Sequence, residues 1–328
     1  MNYIGSKKTL LPWIDDIISQ RGINLSTCVL GDGFAGTGNV SSYFQQKYNT
    51  TIVATDTEYY SWLITHVRLN IPYTKHLQHL VERLQLVKPR VGLVTTHYSP
   101  LGNRMYFTTE NASKIDGLRE TLEEWKSSIT LDEFYFLLAS VMIASDKVSN
   151  ISCTYGAYLK EFKQSALKDI CVLPIHSNQD LSHKHVVLQQ SILDNDWSTC
   201  DIVYLDPPYN NRQYGANYFI LNYILHYKDV SIRGKTGICD YYKSPFSQKS
   251  NVLASFKQMI DTIYSRDKTP LLCISYNDEG LLSKETLMEM LSEYGRVSVY
   301  TKTYKKFKAQ QSVKKAFVQE YLWILEKA

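Results

Sequence analysis

The alternation of hydrophobic and polar positions predicts an α/β chain with a helical interruption. An amphipathic helix starts at Leu10, and the apolar stretch 26–31 predicts a strand that runs into a glycine-rich turn. A helix from Asn39 and a strand over 51–55 follow, and that strand ends at Asp56. Strand, glycine turn, helix, strand and acid make one βαβ unit, which is typical of a parallel sheet.

The middle of the chain breaks this alternation, because helical patterns there follow one another without strands. These helices are predicted over 113–125, 131–144 and 155–167. Strand patterns then resume over 184–189, 201–206 and 271–277, with a closing pair, which we expect to be antiparallel, over 296–300 and 318–325. We therefore predict a sheet domain made of residues 1–70 and 186–328, with a mostly helical subdomain, residues 71–185, inserted into it.

Composition limits the class of protein. The chain has 328 residues, and hydrophobic residues make up 44% of it, which is enough for a core and excludes wholesale disorder. The longest apolar run, 134–144, is too short for a bilayer, which needs about 20 residues. We expect a cytoplasmic protein with no membrane partner. The six cysteines form no C-x-x-C pair and the eight histidines lack metal-ligand spacing, so we expect reduced cysteines and no metal.

Charge is distributed unevenly, although the formal net charge is only +4. Six lysines and no acid occupy 301–315, and a second acid-free basic stretch runs over 241–257. Basic stretches interleaved with tyrosine and phenylalanine suit a phosphate backbone and stacked bases. A solvated lysine-rich surface is the alternative that charge alone leaves open.

The glycine-rich turn over 31–38 follows a strand and opens a helix, and its spacing fits G-x-G-x-x-G. Glycines there allow close approach of the backbone to a ligand, and Asp56 lies where an acid can hold ribose hydroxyls. The two features indicate a nucleoside cofactor. A nicotinamide dinucleotide and a turn without a ligand both remain open on this evidence.

The sharpest signal is Asp206-Pro207-Pro208-Tyr209, directly after an apolar strand. Two prolines end the strand and fix an extended turn at the carboxyl end of the sheet, where α/β proteins bind ligands. Asp206 and the Pro207 carbonyl could accept both protons of an exocyclic amine, while Tyr209 stacks on a base that has left the duplex.

Motifs in this order resemble the D12-class adenine-specific DNA methyltransferases of the α group, including restriction-associated methylases. The resemblance covers nearly the whole chain and rests on Asn2-Tyr-Ile-Gly-Ser-Lys7, Phe34-Ala-Gly-Thr-Gly38, Asp56 and Asp206-Pro-Pro-Tyr209. It implies a Rossmann-like, S-adenosylmethionine-dependent methyltransferase sheet, with target recognition in the insertion. The residues that it places at S-adenosylmethionine are Tyr3, Lys7, Phe34, Ala35, Gly36, Thr37, Gly38, Asp56 and Asp206.

Within these roles, Tyr3 and Lys7 would hold the carboxylate end of the cofactor, and Asp56 the ribose. Relatives often carry an acid near the end of the strand before D-P-P-Y. Gln190 and Ser191 stand there instead, so the contact to the cofactor adenine stays unassigned.

The resemblance implies methyl transfer directly to adenine N6, after the base is flipped into the D-P-P-Y pocket. No Pro-Cys dipeptide is present, which argues against cytosine-C5 chemistry through a cysteine thiolate. The expected partners are double-stranded DNA and, as a candidate, a cognate restriction endonuclease, with the enzyme acting as a monomer, bacterial or phage-encoded and nucleoid-associated. The residues expected to bind DNA are Arg212, Tyr214, Lys160, Lys163, Lys305, Lys306 and Lys308.

Three other functions stay open on sequence grounds. The first is transfer to another amine, such as an RNA base, a protein amide or cytosine N4, although these sites usually begin with Asn or Ser where Asp206 stands. The second is a DNA-binding protein that has lost catalysis. The third is a nicotinamide-dependent oxidoreductase.

Overall fold

The computed structural model describes residues 4–178, 184–265, 268–305 and 317–327. The helices are α1 Leu11–Ser19, α2 Asn39–Tyr48, α3 Tyr59–Asn70, α4 Lys75–Gln85, α5 Leu93–Tyr98, α6 Thr109–Trp125, α7 Leu131–Lys147, α8 Tyr214–His226, α9 Val252–Ile263 and α10 Lys284–Ser292. The strands are β1 Val29–Asp32, β2 Thr51–Asp56, β3 Val186–Gln189, β4 Ile202–Leu205, β5 Leu271–Asn277, β6 Gly295–Lys305 and β7 Phe317–Lys327.

The chain forms two compact units, each with its own hydrophobic core. The helical unit combines Met1–Gly5, Glu58–Leu181 and Tyr214–Tyr242, and the sheet unit combines Ser6–Thr57, Ser182–Gln213 and Lys243–Ala328. These boundaries differ from the predicted insertion of residues 71–185. The physical reason is that α3 and α8 pack on α7 and bury their apolar faces in the helical core.

The sheet unit contains one seven-stranded sheet in the order β3-β2-β1-β4-β5-β7-β6. The first five strands of the chain pair in parallel, and β7 pairs antiparallel with both β5 and β6. The strand order reverses between β1 and β4, so the carboxyl ends of these two strands lie where open α/β sheets have the crevice that binds ligands. The predicted Rossmann-like α/β class and the antiparallel closing pair are confirmed.

Burial explains why the central strands have apolar sequences. All four residues of β4 are buried, as expected of a parallel strand that is covered on both faces. At Gly33, just after β1, an added Cβ would collide with Ile192 and lie 2.9 Å from Leu205 Cδ2. The glycine there lets the loop lie against the sheet.

The helical unit confirms the predicted helices over 113–125 and 131–144, which are α6 and α7. Thr130 caps α7 in a capping box with Glu133. The helix predicted over 155–167 is wrong, since the chain there forms turns and bends. The Asn150 side chain holds this segment instead: its Nδ2 donates to the Leu159 carbonyl (3.1 Å), and its Oδ1 accepts from the Lys163 amide (3.0 Å).

The six cysteines are all unpaired; four are buried, but Cys171 is exposed and so does not belong to the core. Across the described ranges, no helix combines the length and apolar character required to cross a membrane.

Candidate active site

The glycine loop after β1 is held to the end of β2. Gly36 and Gly38 both adopt positive φ, of 54° and 68°, which explains the glycines at these positions. The Gly36 amide donates to Asp56 Oδ2 over 2.8 Å, and the Ala35 amide donates to the Thr55 carbonyl over 3.0 Å. Asp56 therefore fixes the shape of the loop from the neighbouring strand.

Asp32, the last residue of β1, is a buried acid with 1% of its surface exposed. Its Oδ2 accepts a hydrogen bond from Ser41 Oγ (2.6 Å), whereas its Oδ1 is buried and has no partner among the described residues. Burial raises the pKa of Asp32 to about 7; the Ser41 bond opposes the shift, and the carboxylates of Asp206 and Asp56 add to it.

The Asp206–Tyr209 turn follows β4 directly, so the Pro207 carbonyl lies beyond the last paired residue of that strand. The Leu281 amide donates to the Tyr209 carbonyl over 2.8 Å and also to the Tyr276 hydroxyl over 3.0 Å. The loop after β5 thus clamps the end of the turn. Burial raises the pKa of the Tyr209 hydroxyl, which keeps the side chain neutral.

Lys7 lies between two acids in this site. Its Nζ is 2.8 Å from Asp206 Oδ1 and 3.3 Å from Glu320 Oε1, and it also lies 5.7 Å from the centre of the Tyr209 ring. Lys7 is 5% exposed, Glu320 1% and Asp206 18%. This contact occupies Oδ1 of Asp206 and leaves Oδ2 without a partner in the described part of the chain.

Electrostatics keep the pair charged. Burial alone would lower the pKa of Lys7, but Asp206 and Glu320 raise it well above its ordinary value. Burial raises the pKa of Asp206 to about 6; Lys7 lowers that pKa and Glu320 raises it. Lys7 is therefore an ammonium and Asp206 a carboxylate at neutral pH.

The acids of the crevice suit a cationic nucleoside ligand. Asp32, Asp56 and Asp206 stand at the carboxyl ends of three adjacent strands, and one buried carboxyl oxygen of Asp32 has no partner within the described ranges. Burial, with added repulsion from Asp206 and Asp56, raises the pKa of Asp32, and positive charge placed beside these acids would oppose that shift. A sulfonium and a ribose, as in S-adenosylmethionine, fit this set of side chains.

Phe34 and Thr37, which are also predicted at the cofactor, lie in the glycine loop after β1. Phe34 is half-buried and packs edge-on against Phe246, with ring centres 5.1 Å apart. Thr37 is buried, and its hydroxyl accepts a bond from Asn39 Nδ2 (2.8 Å). Tyr3 lies outside the described residues.

The segment before β4, where a cofactor contact was left unassigned, serves local structure. Ser191 Oγ accepts from the Leu193 amide (3.2 Å), and Gln190 Nε2 donates to Asn195 Oδ1 (3.1 Å). Asp194, the nearest acid, is exposed.

The residues predicted to bind DNA fall into three groups. Arg212 and Lys160 are exposed. Lys163 donates to the Ile151 carbonyl (2.6 Å), and the Tyr214 hydroxyl donates to the Ile4 carbonyl (3.2 Å), so both have partners within the helical unit. The described residues do not include Lys306, Lys308 or the side chain of Lys305.

Sequence reasoning missed two residues of the site, Glu320 and Asp32. Glu320 had a signal, because it follows the alternation of β7 at an inward position between Val318 and Leu322. Asp32 lies inside the glycine motif and ends an apolar strand, which is an unusual position for an uncompensated acid.

Comparisons with known proteins agree with this geometry. Residues 3–290 match the family model of the D12 class N6 adenine-specific DNA methyltransferases. The chain is 40% identical to the type II methyltransferase M.CviAII of Paramecium bursaria Chlorella virus 1, over 99% of this chain and 98% of that protein. It is also 40% identical to the type II methyltransferase M.NlaIII of Neisseria lactamica (100% and 99% covered). Identity to M.FokI of Planomicrobium okeanokoites is 33%, covering 100% of this chain and 53% of that protein.

Proposed function

The chain belongs to the D12 class of N6 adenine-specific DNA methyltransferases, and from that premise we propose which of its residues carry the reaction. It is an S-adenosylmethionine-dependent enzyme that acts on adenine in DNA. The observation that carries the residue assignment is the Asp206 carboxylate, held by Lys7 at the carboxyl end of β4 with one oxygen available to a substrate.

The D-P-P-Y turn receives the target adenine once it has left the duplex. Asp206 Oδ2 and the Pro207 carbonyl accept the two N6 protons, and Tyr209 stacks on the ring. Pro208 gives the turn its stiffness. This arrangement fixes the plane of the amine, so that the nitrogen lone pair points out of that plane.

When bound, S-adenosylmethionine supplies a methyl group on a sulfonium, so that N6 gains a C–N bond while the S–C bond breaks. The chain's own contribution is positioning and electrostatics, because a carboxylate with a pKa of about 6 is too weak a base to deprotonate neutral adenine. After transfer, N6 carries an extra proton, which Asp206 accepts either directly or through a water molecule.

The cofactor side of the crevice is formed by the glycine loop. Gly36, held by Asp56, allows close approach, Phe34 lines the methionine and ribose part, and Asp56 binds the ribose hydroxyls. Asp32 adds negative charge near the sulfonium. Because Lys7 is occupied by two protein carboxylates, we assign it to Asp206 and not to the cofactor carboxylate.

DNA contacts are proposed for the insertion, residues 71–185, and for the exposed cations Lys160 and Arg212. The insertion would select the target sequence, and the cations would bind phosphates of double-stranded DNA. Phosphate contacts release counterions, so affinity should fall steeply with salt; affinity that is independent of salt would rule these contacts out.

The biological setting that we propose is restriction–modification with a cognate endonuclease, the methyltransferase acting as a monomer. Two relatives that match over at least 98% of their length are named type II methyltransferases, which supports this setting. Genomic DNA from cells expressing the chain should resist an endonuclease whose site contains the methylated motif. Full cleavage of fully methylated DNA would contradict protection.

The test of the proposed function is methyl transfer from labelled S-adenosylmethionine to unmodified double-stranded DNA, followed by single-molecule sequencing. We expect N6-methyladenine in one short motif. Asp206→Ala should lower the rate by at least about 10²- to 10³-fold, since it removes an acceptor aimed at the reacting amine. Asp201→Asn, at the opposite end of β4, is the control and should keep the rate. Near-normal turnover of Asp206→Ala would remove Asp206 from the mechanism.

A further inference from the structure

Glu320 occupies a position where an acid is costly unless it has partners. It lies in β7, where it is paired with Asn277 of β5, and it is almost fully buried. Ser275 Oγ donates to its Oε1 over 2.5 Å, and the Tyr304 hydroxyl donates a long bond of 3.5 Å to Oε2. Two strands therefore hold this carboxyl in one orientation.

The orientation brings Glu320 within ion-pair distance of Lys7, which also contacts the catalytic turn. Lys7 Nζ contacts Oε1 of Glu320 at 3.3 Å and Oδ1 of Asp206 at 2.8 Å. Two carboxyls thus share one ammonium. In a buried site, where each charge is weakly screened, the sharing decides how strongly Lys7 neutralises Asp206.

The groups that act on Asp206 come from several elements. Lys7 precedes α1, Glu320 is in β7, and the phenols of Tyr204 and Tyr209 belong to β4 and the turn, with burial holding both phenols neutral. Asp32 at the end of β1, Tyr304 of β6 and Glu279 after β5 act on this same set of groups. Lys7 is the cation that directly contacts Asp206 in the described chain.

We infer that Glu320 is a positioning residue for methyl transfer: it shares the Lys7 ammonium with Asp206, which weakens the neutralisation of Asp206 and so keeps Asp206 able to accept hydrogen bonds from the target amine. The inference rests on the proposed role of Asp206. It predicts the direction of a pKa change, because Glu320 raises the pKa of Asp206 whereas Lys7 lowers it. Loss of the Glu320 charge should therefore make Asp206 a weaker acceptor and a stronger acid.

The test compares wild type, Glu320→Gln and Glu326→Gln, which is the same substitution on the same strand at a residue paired with Arg296. Single-turnover methylation of double-stranded DNA is followed from pH 5 to 9. We expect the acid limb of Glu320→Gln to move down by about one pH unit. Its rate on the alkaline plateau should fall by up to about tenfold, since rate follows the basicity of the acceptor. Glu326→Gln should match wild type.

A second measurement does not depend on turnover. The carboxyl ¹³C resonance of Asp206, identified by its loss in Asp206→Asn, should titrate at lower pH in Glu320→Gln than in wild type. Ser275→Ala, which removes the hydrogen bond that orients Glu320, should shift it in the same direction by less. An unchanged or upward shift in Glu320→Gln overturns the inference. Absence of DNA methylation by wild type at every pH would instead refute the proposed function.

Discussion

Replacing Lys7 by methionine tests the energetics of the site most directly. Methionine keeps much of the length of the side chain but removes the ammonium, so Asp206 and Glu320 lose the cation that they share. Breaking a buried ion pair by removing one partner costs about 3–5 kcal/mol, because the remaining charge is left in a low-dielectric site. Since two acids depend on Lys7, we expect a loss of unfolding free energy in this range at pH 8.

The sign of the pH dependence follows from Asp206. Lys7 lowers the pKa of this carboxyl, so in Lys7→Met that pKa rises above its wild-type value of about 6. The folded variant then binds a proton that the unfolded chain releases. Its stability deficit should therefore shrink as the pH falls from 8 to 6.

The assay is urea unfolding at pH 8 and pH 6, followed by tryptophan fluorescence, with Trp197 and Trp323 buried in the sheet unit. The control is Lys257→Met, whose partner Glu293 lies at 2.7 Å but is exposed; it should cost less than about 1 kcal/mol at both pH values. A Lys7→Met deficit as small as that of the control, or one that is equal at pH 8 and pH 6, would refute the reasoning.

Two further substitutions probe the two loops of the site. Asp32→Asn should raise the unfolding free energy by about 2–4 kcal/mol at pH 8 but not at pH 3.5, because the Asp32 carboxyl, with a pKa of about 7, destabilises the fold only above the ordinary pKa of an aspartate. The substitution should also weaken S-adenosylmethionine binding about tenfold, as measured by calorimetry. Equal stability of the variant and wild type at pH 8 would contradict this explanation. Gly280→Ala should cost about 1–3 kcal/mol in urea unfolding and reduce kcat, because the new Cβ meets the buried ring of Tyr276 and disturbs the Leu281 clamp on the catalytic turn. Gly156→Ala, whose Cβ would lie 3.7 Å from Thr154 Oγ1, is the matched control, and equal costs would count against the clamp.

Sequence predicted the parts of the site that depend on neighbouring residues. The glycine loop and the D-P-P-Y turn each follow a strand, and the carboxyl ends of parallel strands meet at one edge of a sheet. Asp56 was found for the same reason. These features are local, so spacing and strand pattern are sufficient to place them.

The parts that sequence missed depend on register and on distant side chains. Glu320 reaches Lys7 only because β7 pairs with β5 in one register, with Asn277 opposite Glu320. The helical period over 155–167 was misleading, because a single side-chain amide outside the segment, that of Asn150, supplies hydrogen bonds that a helix would otherwise make. The alternation of β7 indicates that Glu320 is buried, but it does not indicate that Lys7 is its partner.

The position of β7 also has a consequence for biosynthesis. Although β7 is synthesised after β6, it inserts between β5 and β6 and brings Glu320 to Lys7, which precedes α1. A nascent chain that has completed β6 has the D-P-P-Y turn but not the acid that shares the lysine, and the edge of β5 is still unpaired. The sheet must therefore wait for β7, so modifying capacity would arise only after β7 has been translated and has paired with β5.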